Sequence, residues 1–228
     1  MENTKSHEMK GGKKTDYEFV FQIALIGILV LLLVYNAGKV YGRDSGVIVN
    51  EVNGINGNAV ASNVVPKGTP ALYGEELKVK YDDVSASNPK LADATIQKLS
   101  SYEDKSLNTE QMTRYIKVAG SISCEYCCGA QSIIFSNGER ACGCAHSFAM
   151  RGIAKYLIIE HPDMSDEDIL RELGKWKVLF FPGIHEQKAQ VLESQGIDST
   201  DYINLASNKY RGIEQGQSSG AGGMVGGC

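Results

Sequence analysis

The sequence predicts an α+β fold: a mainly helical extracytoplasmic domain with a small cysteine-rich β-hairpin, preceded by one transmembrane helix. Three observations predict it. An uncharged apolar run lies near the amino terminus, several later stretches carry apolar residues at helical spacing, and an Asn-Gly dipeptide sits between two short runs amid the cysteines.

The run at 19–35 is uncharged over about seventeen residues, the short end of what crosses a bilayer as a helix. A cleaved signal peptide is the competing reading, but its apolar core is usually shorter, and the best small cleavage residue, Ala37, is poorly placed behind Tyr35. Lys5, Lys10, Lys13 and Lys14 precede the run while only Lys39 and Arg43 follow it closely, which orients the amino terminus inside. The expected organisation is a cytoplasmic segment at 1–18, a transmembrane anchor at 19–37, a stalk at 38–70, a cysteine-rich helical domain at 71–215 and a flexible glycine-rich tail at 216–228. The membrane is then a partner, and the localisation is a single-pass cell-membrane protein with its carboxyl-terminal domain outside. A net charge of −4 with no basic stripe speaks against nucleic acid as a partner.

After the anchor, 45–70 is rich in Asn, Gly, Val and Ser and reads as the stalk, with a short strand at 47–49. Leu77, Val79 and Tyr81 alternate with polar residues and predict a half-exposed strand. Behind Pro89, Leu91, Ala94, Ile96 and Leu99 fall near helical spacing, so a helix should begin around Lys90. A second helix follows Asn108 or Thr109 as its cap, with Met112, Tyr115, Ile116 and Val118 on the apolar side and Gly120 as its stop. Asn137-Gly138 predicts a type I′ hairpin, because both central positions must tolerate positive φ. Three helices follow. One begins just after His146 and buries Phe148, Met150, Ile153, Leu157 and Ile158; one is capped by Ser165 with Asp168 at capping-box spacing; one runs from Ile184 to a stop at Gly196.

The tight turn brings Cys124, Cys127 and Cys128 toward Cys142 and Cys144. The spacing CxxC-x14-CxC offers Cys124, Cys127, Cys142 and Cys144 as four ligands for tetrahedral Zn, with Cys128 and His146 as replacements. A closed structural site does not need six candidates. Cu(I) takes two or three thiolates and tolerates exchange among them, which suits the surplus better. A helix starting near Ser147 would hold Cys144 and His146 at its positive end and favour thiolate, with Arg140 and Arg151 reinforcing the effect. The expected function is metal binding, for handling or sensing. Two alternatives stay open. A disulfide-stabilised surface binding module would pair the cysteines, although five in a cluster leave one over unless Cys228 reaches it. A thiol–disulfide exchanger would attack through Cys144 or Cys127 and resolve through a neighbour.

The remaining candidates carry less. His161 precedes Pro162 and reads as a helix end; His185-Glu186 lacks the second His of a zinc-protease motif; Met112, Met150 and Met164 read as core or surface. No P-loop or Ser-His-Asp arrangement follows from spacing, so binding is favoured over catalysis. The tail has almost nothing to bury and is expected to remain a mobile tether. Its Cys228, with Met224, is a candidate mobile ligand, or the cross-link of a homodimer or partner protein.

The stretch ISCEYCCGAQSIIFSNGERACGCAHSFAMRGIAKYLI, continuing to ELGKWKVLFFPG, resembles a group of uncharacterised single-anchor archaeal proteins over the outer two thirds of the chain. The CxC followed by His is more distantly similar to bacterial lipoproteins named for a PCYCGC motif, with Ala141 in place of the proline-led start and a membrane helix in place of the lipid anchor. These resemblances imply family membership and an anchored localisation; neither brings an assigned reaction.

Overall fold

The computed structural model describes residues 21–22, 25–26, 64–215 and 224–226. The chain divides into two units, Met1–Asn53 and Gly54–Cys228. In the first, Phe21, Gln22, Leu25 and Ile26 are helical and exposed.

The second unit is built of helices whose starts follow from local chemistry. A single turn, α1 (Gly74–Leu77), ends at Lys78 in the left-handed region, and a 3-10 turn spans Tyr81–Asp83. α2 (Pro89–Ser100) begins where the Asn88 side chain accepts the Leu91 N–H and Pro89 presets the first turn. α3 (Thr109–Ala119) opens on a reciprocal box between Asn108 and Gln111. α4 (Glu125–Cys128) is one turn, closed by Gly129 at φ 68°. α5 (Ala145–Glu160) and α6 (Asp166–Phe180) are capped by Cys144 and Ser165, and α7 (Pro182–Ser194) and α8 (Tyr202–Ala206) follow.

α5 is buried on nearly every side, as an all-round apolar helix must be, and packs against α2, α3 and α6. Its approach to α2 depends on Gly152, where a Cβ would lie 2.0 Å from the Leu99 carbonyl oxygen. α6 contributes Trp176, fully buried, whose Nε1–H donates to the Tyr73 hydroxyl at 2.7 Å. Tyr73 and Tyr81 in turn donate to Glu172 at 2.9 and 2.6 Å, which ties the segment before α2 to α6.

The expected α+β class is corrected to a helical one. Among the described residues there is no sheet, and the cysteine-rich ribbon is reduced to one antiparallel bridge between Ile134 and Arg140. The turn forms, but of Asn137 and Gly138 only the glycine has positive φ, at 85°, so it is not type I′. Gly138 donates to the Phe135 carbonyl at 2.9 Å and Phe135 to that of Glu139 at 2.8 Å, the pattern of a three-residue loop closed by a left-handed glycine. No ladder extends from it, because the Ile133 N–H turns to the Ile122 carbonyl instead.

The strand expected around Leu77 is absent too. Leu77, Val79 and Tyr81 are all buried, yet the Val79 N–H donates to Gly74 in a turn and the Tyr81 N–H to Gly68 of the preceding loop rather than to a neighbouring strand. The transmembrane helix and the single-pass localisation resting on it are likewise corrected: no helix among the described residues is long and apolar enough to cross a membrane. Most of 19–37, the strand at 47–49 and most of the tail lie outside the described residues. The end of the expected stalk belongs to the globule, with Val64 buried and its carbonyl accepting from Tyr202 at 3.0 Å.

Candidate metal centre

The first cysteine run sits on α4, which at a single turn is too short to be stable through its own hydrogen bonds. Side chains from distant segments hold it. Glu125, nearly buried, pairs with Lys177 of α6 at 2.9 Å and with Arg211 at 3.1 Å. Arg211 also donates to the carbonyls of Gly129 and Ala130 at 3.1 and 3.0 Å. Tyr126 packs edge-on against Phe181 and His185. The second run is pinned by Arg151, 1% exposed, which donates to the carbonyls of Cys142 and Ile133 at 2.8 and 3.0 Å and pairs with Glu103.

These supports bring the sulfurs of Cys124, Cys127 and Cys144 within 4.8 Å of one another. Cys124 is fully buried and its sulfur lies 3.3 Å from that of Cys144. Metal–thiolate bonds of about 2.3 Å place two sulfurs on one ion about 3.8–4.0 Å apart, so small shifts would seat an ion among the three. The trio could hold a metal ion.

The thiol of Cys144 is pushed well below its ordinary range, first by the hydrogen bond with Cys124 and then by His146 and by the Ser147 hydroxyl and N–H, against the opposing effect of burial. Its position as N-cap of α5 explains the Ser147 contact, with N–H to sulfur at 3.4 Å. The Cys124 thiol is pushed up by the same hydrogen bond and by burial, so Cys124 holds the proton and Cys144 the charge. Burial pulls Lys177 down to about 8, while Glu125 and the neighbouring Cys124 favour its charged form.

The two runs meet as the turn predicts, but they divide differently. Cys142 is not among the trio; its sulfur lies 2.6 Å from that of Cys128. His146 is fully buried outside the trio, stacked on Phe180 and Phe181, with Nε2 2.7 Å from the Val225 carbonyl. A carbonyl only accepts, so Nε2 is the donor in that bond. Arg140 and Arg151 serve Glu103, Asp104 and backbone carbonyls rather than the thiolates. His161 stands beside Glu76 at 3.2 Å, and His185 is buried with Nδ1 on the Phe181 carbonyl.

The tail differs from the expected free tether where it is described. Val225 is buried, its N–H donates to the Phe180 carbonyl at 2.9 Å, and Gly226 at φ 86° packs so closely that a Cβ would lie 2.3 Å from Ile96. Met224 is 44% exposed, and Cys228 lies outside the described residues.

Sequence reasoning missed Glu125, Lys177 and Arg211 as supports of α4. The available signal was Lys177 itself, a lysine inside the apolar run WKVLFF. A cavity of about 690 Å³ opens elsewhere, beside Glu103, Met112, Tyr115, Arg140 and Lys155, and no cysteine lines it. No protein family, curated protein or solved structure matches this chain.

Proposed function

We propose that the chain binds a thiophilic metal ion through Cys124, Cys127 and Cys144 and acts in metal handling or sensing. The observation that carries this reading is the convergence of three sulfurs within 4.8 Å, one of them already favoured as thiolate. Three sulfur donors suit Cu(I), which is satisfied by trigonal thiolate ligation, whereas zinc asks for a fourth ligand. Lys177 supports the site electrically, because a buried cation near Cys124 offsets the charge that three thiolates bring to one ion.

A second reading, Zn, is favoured by the docked tail. Val225 accepts from His146, which itself hydrogen-bonds Cys144, and Cys228 follows three residues later, a reach of about 10 Å. Cys228 would then be the fourth ligand.

The test is competition titration of the reduced full chain with Cu(I) and with Zn²⁺, using C144S and C228S variants. Apparent zinc binding of about 10–16 kcal/mol for four ligands assigns roughly 3–4 kcal/mol to each, so losing Cys144 should weaken affinity on the order of 10²- to 10³-fold. Unchanged affinity in C144S would refute the three-thiolate site. A C228S effect on Zn²⁺ but not on Cu(I) would establish the tail as the fourth ligand.

A further inference from the structure

The five cysteines of the cluster, an odd number, pose a parity problem that the structure divides into three and two. Cys128 and Cys142 stand with their sulfurs 2.6 Å apart, and neither belongs to the three-sulfur group. The approach is imposed by their backbones. Cys128 ends α4 before the left-handed Gly129, whose carbonyl is held by Arg211, and Cys142 is held through its carbonyl by Arg151. Each anchor reaches a buried carboxylate, Glu125 for Arg211 and Glu103 for Arg151, so the sulfurs stay adjacent whatever their own chemistry. Cys128 is exposed and Cys142 is buried, which gives the pair one sulfur open to an incoming reagent and one shielded from it.

We propose that Cys128 and Cys142 form the chain's own disulfide, leaving Cys124, Cys127 and Cys144 as thiols. The oxidant is a small-molecule disulfide. The Cys128 thiolate attacks one of its sulfurs, forming a mixed disulfide and expelling one thiolate; the Cys142 thiolate then attacks the Cys128 sulfur and expels the second. Two cysteine thiols are oxidised by two electrons, one disulfide is reduced to two thiols, and both cysteine protons pass to the leaving thiolates. Closing this pair ties α4 to the segment before α5 and fixes both sides of the three-sulfur group. The role of that group rests on the metal reading; the pairing does not.

The experiment is incubation of the reduced full chain with oxidised glutathione, followed by acid quench, denaturation, alkylation and tryptic mapping. Trypsin cuts after Lys117, Arg140 and Arg151, so Cys128 and Cys142 fall on different peptides, 118–140 and 141–151. The expected result is a link between the two peptides, with alkylation at Cys124, Cys127 and Cys144 and none at Cys128 or Cys142. C128S and C142S should each lose that link, and C142S should retain glutathione on Cys128. A link through Cys124 or Cys144, or no link at all, overturns the proposal. A Cys128–Cys142 link in a chain that takes up no Cu(I) upholds it and counts against the metal reading alone.

Discussion

Replacing Arg151 by methionine tests whether the second cysteine run is held from below. Methionine keeps much of the apolar stem and removes the guanidinium. Two buried carbonyls, those of Ile133 and Cys142, lose their donors at 3.0 and 2.8 Å, at about 1–3 kcal/mol each if nothing replaces them. Glu103, 4% exposed, loses its buried partner but keeps Arg140 at 2.9 Å, which is half-exposed and screens it only in part. The total should fall near the roughly 3–5 kcal/mol typical of breaking one side of a buried pair, a large share of a domain stability of about 5–15 kcal/mol. Urea unfolding of the full chain, followed by circular dichroism, reads the loss as a shift in midpoint. A paired E103L/R151M variant should recover at least about 1 kcal/mol relative to the sum of the single changes, because the stranded carboxylate is gone. Because the Cys142 carbonyl is released, R151M should also make Cys142 react faster with a thiol reagent in the folded protein. A cost below about 1 kcal/mol with unchanged Cys142 reactivity would refute the claim that Arg151 positions this run.

Gly152→Ala should destabilise despite the roughly 1 kcal/mol that alanine gains in a helix, since its Cβ would lie 2.0 Å from a backbone oxygen of α2 and overpacking costs about 1–3 kcal/mol or more. A midpoint at or above wild type would show that α2 and α5 separate easily. His185 gives a pH signature. Burial first, and then the charge of Lys177, hold its imidazole well below the ordinary range, so the folded chain keeps it neutral while the unfolded chain takes up a proton near pH 6.5. Its contribution is therefore fully present above about pH 6.5 and is lost as pH falls below. Between pH 6.5 and 5.5, wild type should lose about 1 kcal/mol more than H185Q, read from urea midpoints, and parallel pH profiles would contradict the assignment.

Five of the helices after residue 88 and the meeting of the cysteine runs were legible in the sequence, because these depend on local chemistry. Asn88, Asn108 and Ser165 cap their own neighbours, and Gly138 reverses the chain within three residues. Alternation at Leu77, Val79 and Tyr81 correctly marked buried positions, but alternation alone cannot supply the partner strand that makes a sheet. Tertiary structure decided the rest. Which sulfurs group depends on supports distant in sequence yet adjacent in space: Lys177 and Arg211 on Glu125, Glu103 on Arg151, and Val225 on His146. A spacing pattern treats Cys142 and Cys128 as interchangeable ligands. Buried ion pairs and backbone anchors separate them, setting Cys124, Cys127 and Cys144 together and Cys128 beside Cys142, because a sulfur goes where its backbone is held.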